Sequence, residues 1–258
     1  MSPHQLTESL PRWLTSVPDT REPVVLYQCM LSRNLAGFPF PAQSPETERQ
    51  AVESLVVNAL EHVNGLPAGH YYSATDMDPT IQRFLAERRL APVEYLHSPG
   101  TRGIYIADDQ SASLVVNMMD HLLIRVLAGG GTFESLWTRA DALDNSLGNV
   151  LDYAFHERLG YLSSSLRMVG TGLKAAAVLH LPATAMLGEE TRVAGILEQK
   201  RLSFNGLSLG ESRAGVHGHA PALTTSTSLS AEIEPLPSQS LYMDMLGALQ
   251  TAPEHAVF

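Results

Sequence analysis

A few short stretches of this chain carry residue types able to do chemistry. Gly170-Thr171-Gly172-Leu173-Lys174 joins a glycine-rich turn to a cation. Successive backbone N–H groups plus an ammonium can hold a phosphate. The Gly-x-x-x-x-Gly-Lys-Ser/Thr spacing of a P-loop is missing, so the plainer reading is a tight turn before a strand. His217-Gly218-His219 offers two imidazoles, with His121, His156 or His180 as a third. No His-x-x-x-His pair and no carboxylate at ligand spacing completes a metal set, which favours two solvated loop histidines. Ser163-Ser164-Ser165 lacks the Gly-x-Ser-x-Gly elbow of a nucleophilic serine and reads as a polar turn. Asp120-His121 can be an acid–base pair, yet neighbours on a strand point to opposite faces, which favours a structural role.

Charge narrows the partners. The 258 residues carry a formal net charge of −10, which repels nucleic acid and anionic membranes. Lys174 and Lys200 are the only lysines, so cation work falls to arginine, the better fork for phosphate. One cysteine, Cys29, excludes an internal disulfide framework and a cysteine-based zinc cage. No apolar run reaches the ~20 residues that span a bilayer, and the first residues lack a basic-then-apolar leader pattern. A cytoplasmic protein is expected.

The elements that must position these residues are partly legible. Ser44 can cap a helix with Pro45 in its first position and Glu46 and Glu48 in its first turn. Val52, Leu55, Val56, Ala59, Leu60 and Val63 then recur at helical spacing up to Gly65. A shorter helix follows Asp78-Pro79, with Ile81, Phe84 and Leu85 inward. Residues 103–107 and 113–117 read as strands around an Asp108-Asp109-Gln110 turn. An amphipathic helix is expected from Phe133 as far as Phe155, a strand over 175–181, a helix over 186–200, and a strand over 202–207. Residues 210–230 read as a long Gly/Ser/Thr/His-rich loop with a strand at its end, and residues 238–250 as a last helix. Strands and helices mix without a strict βαβ rhythm, so the expected class is α+β.

Several segments together resemble one family. Ser32-Arg33-Asn34-Leu35 with Gly37-Phe38-Pro39-Phe40-Pro41, Asn117 with Asp120-His121-Leu122, Leu151 to Leu162, Gly170-Thr171-Gly172-Leu173-Lys174, and Leu179-His180-Leu181-Pro182 occur in one order. This order resembles the catalytic domain of phosphagen (guanidino) kinases, and among them bacterial protein-arginine kinase. The match runs over roughly residues 23–235, leaving 1–22 as an N-terminal extension and 23–258 as the domain. The resemblance implies an antiparallel β-sheet flanked by helices. It also implies transfer of the γ-phosphoryl of ATP to a guanidinium nitrogen, with Mg²⁺, an arginine clamp and a carboxylate base.

The departures fall on that chemistry. Where the family has Ser-Ser-Arg-x-Arg, this chain has Leu26-Tyr27-Gln28-Cys29-Met30, so Gln28 and Met30 replace two phosphate-binding arginines. Arg89 stands for a nucleotide-contacting histidine. In the Asn-Glu-Glu-Asp-His-x-Arg motif, Met118 and Met119 replace both glutamates, Met119 at the base, and Leu123 replaces the arginine. Ser165 takes the place of the reactive cysteine, Lys174 that of an arginine, and Asn205-Gly206 that of a later Arg-Gly. Each lost hydrogen bond to a charged group removes ~1.5–3 kcal/mol. Loss of a general base costs ~10²–10⁴ in rate. The resulting expectation is a pseudokinase acting as a binding or regulatory module, for arginine-bearing proteins or for a related active kinase. The alternative is an active phosphotransferase with a rearranged site, in which Asp120 could replace the base. ATP and Mg²⁺ enter through the resemblance alone; the residues call for no metal of their own.

Overall fold

The structure, a computed structural model, describes residues 3–15, 24–199, 202–207 and 226–232. The 217–219 histidine pair, most of the 210–230 segment and the 238–250 helix lie outside the described residues.

Runs of apolar and β-branched residues between turns assemble one antiparallel sheet. Its strands are β1 (Val24–Arg33), β2 (Gly69–Ser73), β3 (Gly103–Ala107), β4 (Ala112–Val116) and β5 (Leu122–Ala128), with β8 (Leu173–His180), β9 (Ser203–Leu207) and β10 (Ser226–Glu232) completing it. The order is β2-β3-β4-β5-β1-β8-β10-β9. A small hairpin, β6 (Phe155–His156) and β7 (Gly160–Tyr161), stands apart. The helices are α1 (Arg12–Thr15), α2 (Glu46–His62), α3 (Pro79–Glu87), α4 (Phe133–Gly148), α5 (Pro182–Leu187) and α6 (Glu190–Gln199). No helix among the described residues is long and apolar enough to cross a membrane.

Side-chain alternation gives the sheet two covered faces. One face presents Cys29, Leu31, Leu114, Ile124, Val126, Ala175 and Leu179 to Val52 and Val56 of α2, Phe133, Leu136 and Leu147 of α4, and Val193 and Leu197 of α6. The other presents Leu26, Ile104, Ile106, Val115, Leu127 and Val178 to Leu6, Ile81, Leu85, Leu90 and Tyr95. The expected α+β class, an antiparallel sheet flanked by helices, is the observed one.

Several boundaries move, each for a local reason. Ser44 does not cap α2. Its hydroxyl donates to the carbonyls of Pro39 (2.6 Å) and Phe40 (3.1 Å), and Pro45 occupies the cap position. Asp78 does cap α3, accepting from the N–H groups of Thr80 (2.8 Å) and Ile81 (3.0 Å). α4 ends at Gly148 rather than at Phe155, because the following chain pairs with the end of β1. Ala36 N–H donates to the Asp152 carbonyl (2.9 Å), and Ala154 N–H to that of Asn34 (2.7 Å). The single helix expected over 186–200 is two, broken at Gly188, whose φ of +68° no helix interior admits. Strands β1, β2 and β5 go unread in the sequence. β1 and β5 are buried on both faces and so lack a period of two.

Candidate functional site

Two polar regions meet at the end of β1. The first is saturated. Arg33, 2% exposed, donates to Asp144 through Nε (3.0 Å) and Nη2 (2.5 Å), and through Nη1 to the carbonyls of Ser32 and Thr171 (both 2.8 Å). Its guanidinium lies 3.7 Å from the Tyr161 ring centroid. Gly172, at φ +63°, lets the Gly170–Gly172 turn pass over Ser32. A Cβ there would sit 2.5 Å from the Ser32 carbonyl oxygen. The turn is not a phosphate nest. Gly170 N–H donates to Tyr161, Gly172 N–H to Met168, and Leu173 N–H to the Thr171 hydroxyl. The plainer reading of this motif holds.

Asp120 and His121 belong to the same scaffold, in the tight link between β4 and β5. Asn34 ties them together: its Nδ2 donates to Asp120 (2.7 Å) and its Oδ1 accepts from His121 N–H (2.9 Å). Asp120, 5% exposed, also accepts from the Ser163 hydroxyl and the Ser164 N–H, both at 2.8 Å. Both carboxylate oxygens accept hydrogen bonds within the fold, which gives Asp120 a structural role there. His121 Nδ1 accepts from Leu35 N–H (3.0 Å), which leaves the proton on Nε2 to reach the Pro39 carbonyl (3.0 Å). Burial holds its pKa below the ordinary value. Ser163 to Ser165 form the polar turn expected, held by Asp120 and by Ser165 N–H donating to the Ser163 hydroxyl (3.2 Å).

This scaffold holds up a hairpin tip on which Met119 stands 62% exposed. Asn117, at φ +59°, ends β4, and its N–H donates to the His121 carbonyl (2.9 Å), closing the tip. The hydrogen bonds from Ser163 and Ser164 to Asp120 bring the Ser165 turn beside it.

The second region is a sheet face that gathers cations. Directly paired residues in antiparallel strands share a face. Met30 on β1 is opposite Lys174 on β8 and opposite Arg125 on β5. Gln28 is opposite Ala176 and Leu127, and Leu123 is opposite Ser32. Gln28, Met30, Leu123 and Lys174, scattered through the chain, therefore share one face of three adjacent strands. Arg89 reaches the same neighbourhood from the end of α3, at φ +63°. Its neighbour Leu90 accepts from the Ser113 hydroxyl, and Ser113 is the register partner of Arg125. Asn205 and Gly206 stand elsewhere. Asn205 pairs with Ser228, which pairs with Val178, so its row lies four residues along β8 from Lys174. That is ~13 Å along the strands and ~10 Å across them.

Arg125 is the member that sequence reasoning missed. It is 5% exposed, and the Gln28 side-chain oxygen accepts from its Nε (3.2 Å) and Nη2. Burial, and then the charge of Arg89, push its pKa down, with Glu94 opposing. Burial also lowers that of Arg89. Both stay cationic at neutral pH. The sequence does carry a signal: one arginine inside the otherwise apolar run Leu122 to Leu127. Two surface hollows open away from this face, one between α2 and β2 and one at the C-terminal end of α4. Among the described residues no group of three His, Cys, Asp or Glu could hold a metal ion.

Comparison with known proteins bears on this arrangement. The model of the ATP:guanido phosphotransferase C-terminal catalytic domain matches residues 51–218. The chain is 32% identical over 202 residues to the protein-arginine kinase of Desulforamulus reducens, covering 76% of this chain and 56% of that protein. It is 33% identical over 203 residues to that of Symbiobacterium thermophilum, with the same coverage. It thus spans just over half the length of these relatives. Among solved structures it resembles the substrate-free duplicated taurocyamine kinase from Schistosoma mansoni, with a TM-score of 0.74 at 22% identity, over 96% of this chain and 36% of that one. Lombricine kinase follows with 0.71 at 21%, over 90% and 66%. The structural neighbours carry the fold; the family model and the protein-arginine kinases carry the lineage. The chain belongs to the ATP:guanido phosphotransferase family.

Proposed function

We propose that this chain is a protein-arginine-kinase-like domain that has lost phosphoryl transfer and works as a binding or regulatory module. The observation that carries this reading is the hairpin tip. Met119 stands where the family resemblance puts the carboxylate base, and a thioether cannot take a proton. The neighbouring carboxylate, Asp120, is held by Asn34, Ser163 and Ser164. Without a base the rate falls by ~10²–10⁴ before any loss of phosphate contacts is counted. The partner class is an arginine-bearing protein or a related active kinase, in the cytoplasm.

ATP would bring phosphates, and Lys174, Arg89 and Arg125 are the residues that would hold them. No carboxylate cluster among the described residues would hold Mg²⁺, so the metal would come with the nucleotide. Arg125 is the specific observation favouring the second reading, an active phosphotransferase with a rearranged site. Its guanidinium stands on the same face as Leu123, the position where the resemblance expects an arginine, two residues further along the strand.

The test is direct. Purified protein with ATP, Mg²⁺ and an arginine-rich protein substrate is expected to form no acid-labile phosphoarginine. Phosphoarginine that depends on this chain and disappears in Lys174→Ala would establish the active reading. Thermal unfolding with ATP and Mg²⁺ separates binding from chemistry: a ligand at a hundredfold excess over Kd adds about 2.7 kcal/mol.

A further inference from the structure

We propose that the hollow at the C-terminal end of α4 is a recognition site for a guanidinium group, the side chain of an arginine on a partner polypeptide. The inference rests on the partner reading above for the kind of partner, but on residues remote from the sheet face. The hollow measures about 410 Å³, and Asn145, Asn149, Asp152, Tyr153, Phe155 and Tyr161 supply its chemistry.

Its polar side is built for a cation. α4 runs sixteen residues and ends here with no basic residue in its last turn. The partial negative charge of its terminal carbonyls is therefore uncompensated by its own side chains, and a cation is favoured at that place. Asp152 is exposed and, among the described residues, its carboxylate makes no ion pair or hydrogen bond. Only its backbone is engaged, accepting from Ala36. Asn145 donates its amide to Asp141 (3.1 Å), which leaves its oxygen to accept.

Its apolar side selects the kind of cation. Phe155 is 58% exposed, meets Tyr161 edge-on at 5.3 Å, and Tyr161 meets Tyr153 at 5.9 Å. A flat guanidinium can stack on such rings while its N–H fork points at a carboxylate; a compact, strongly hydrated ammonium matches this less well. The fold already uses the same combination internally. Arg33 is held by a carboxylate, Asp144, and by the ring of Tyr161, which also lines the hollow. Asp152 and Phe155 repeat that pairing of carboxylate and ring at the surface. Val150, 46% exposed, lies between the lining residues Asn149 and Leu151 and offers apolar contact to the rest of a partner.

The test uses the full chain, labelled with nitrogen-15 and titrated with the peptide acetyl-Gly-Arg-Gly-amide. Amide shifts are expected at Asn149, Asp152, Phe155 and Tyr161. Asp152→Asn should weaken binding about fivefold, the upper range for an exposed ion pair, and Phe155→Ala should weaken it as well. Both side chains are exposed, so both variants should keep the parent melting temperature. The citrulline peptide, neutral but nearly isosteric, should not bind, and the lysine peptide should bind more weakly than arginine. Equal binding of citrulline or lysine, shifts confined to the Lys174 and Arg125 face, or no shifts at millimolar peptide would each overturn the site. Concentration-dependent shifts of the same amides without peptide would do so too, by making the hollow a contact between copies of this chain. Absence of binding at the hollow does not touch the loss of phosphoryl transfer, which the phosphoarginine assay decides alone.

Discussion

Two buried polar regions lie a few residues apart on β1, and they are built on opposite principles. Around Arg33 and Asn34, each charge is met by a counter-charge or by several hydrogen bonds: Arg33 by Asp144, and Asp120 by Asn34 and two serines, with Asn34 also accepting from His121. Around Gln28 and Met30, the Arg89 and Arg125 guanidinium groups act against each other, with the Gln28 amide accepting from Arg125 and the Glu94 charge favouring it. A buried charge is tolerated when it is paired and hydrogen-bonded, and is costly otherwise. The first region therefore holds the fold. In the second, the like charges of Arg89 and Arg125 oppose each other, and a bound anion would relieve that opposition.

The largest effect that tests this contrast is expected from Asp144→Ala. It strands Arg33 without its carboxylate and should cost about 3–5 kcal/mol in urea unfolding, the usual range for breaking a buried pair from one side. A loss under about 1 kcal/mol would mean that the scaffold is not what holds β1 to α4. Arg125→Met should go the other way. It removes a buried charge that donates to no carboxylate among the described residues, is held by the Gln28 amide and is opposed by Arg89, so stability should match or exceed the parent, by up to ~4 kcal/mol. The same variant should lose whatever stabilisation ATP or inorganic phosphate gives the parent. A strong destabilisation would place Arg125 with the saturated region instead.

The smallest effect is a dependence on acid. His121 is neutral, with both ring nitrogens used, and burial lowers its pKa from 6.5. A folded-state pKa below the unfolded one makes this contribution complete above pH 6.5 and lost as pH falls through the folded value. Stability between about pH 7 and pH 5 should therefore fall less in His121→Gln than in the parent, measured by urea midpoints. Equal slopes would remove His121 from the account.

Cys29 adds a second reading of the same kind on the opposite face of β1. Burial raises its thiol pKa to about 12 from 9.0. Its protonated form is favoured by the fold, so the contribution is full below pH 9 and is lost between about 9 and 12. Native protein at about pH 8 should accordingly resist alkylation by iodoacetamide, while urea-unfolded protein reacts. Rapid native labelling would show that β1 opens locally.

Much of the fold is legible in the residues themselves. Helical periodicity locates α2, α3 and most of α4, because each lays one apolar stripe on the sheet. Turn residues locate the β3–β4 hairpin, and the order of short motifs locates the family. Other features are not legible, each for a physical reason. β1 and β5 are covered on both faces, which erases alternation. The end of α4 depends on residues 34–36, more than a hundred positions upstream, competing for the backbone of residues 152–154. Gly188 in the sequence only weakens a helix, and its positive φ in the fold is what breaks it.

For the candidate site, the sequence alone determined what each residue type can do. A methionine at 119 cannot be a base in any fold, and a chain with two lysines must handle anions largely with arginine. Only the tertiary structure decided what the remaining groups do. In the sequence Asp120 reads as structural without showing what it holds; in the fold its carboxylate accepts from Asn34, Ser163 and Ser164. In the sequence Arg125 is an oddity in an apolar strand; register sets it beside Met30, in line with Lys174. Residue type sets what a side chain can do, but its charge state, its partners and its face depend on neighbours that sequence distance does not reveal.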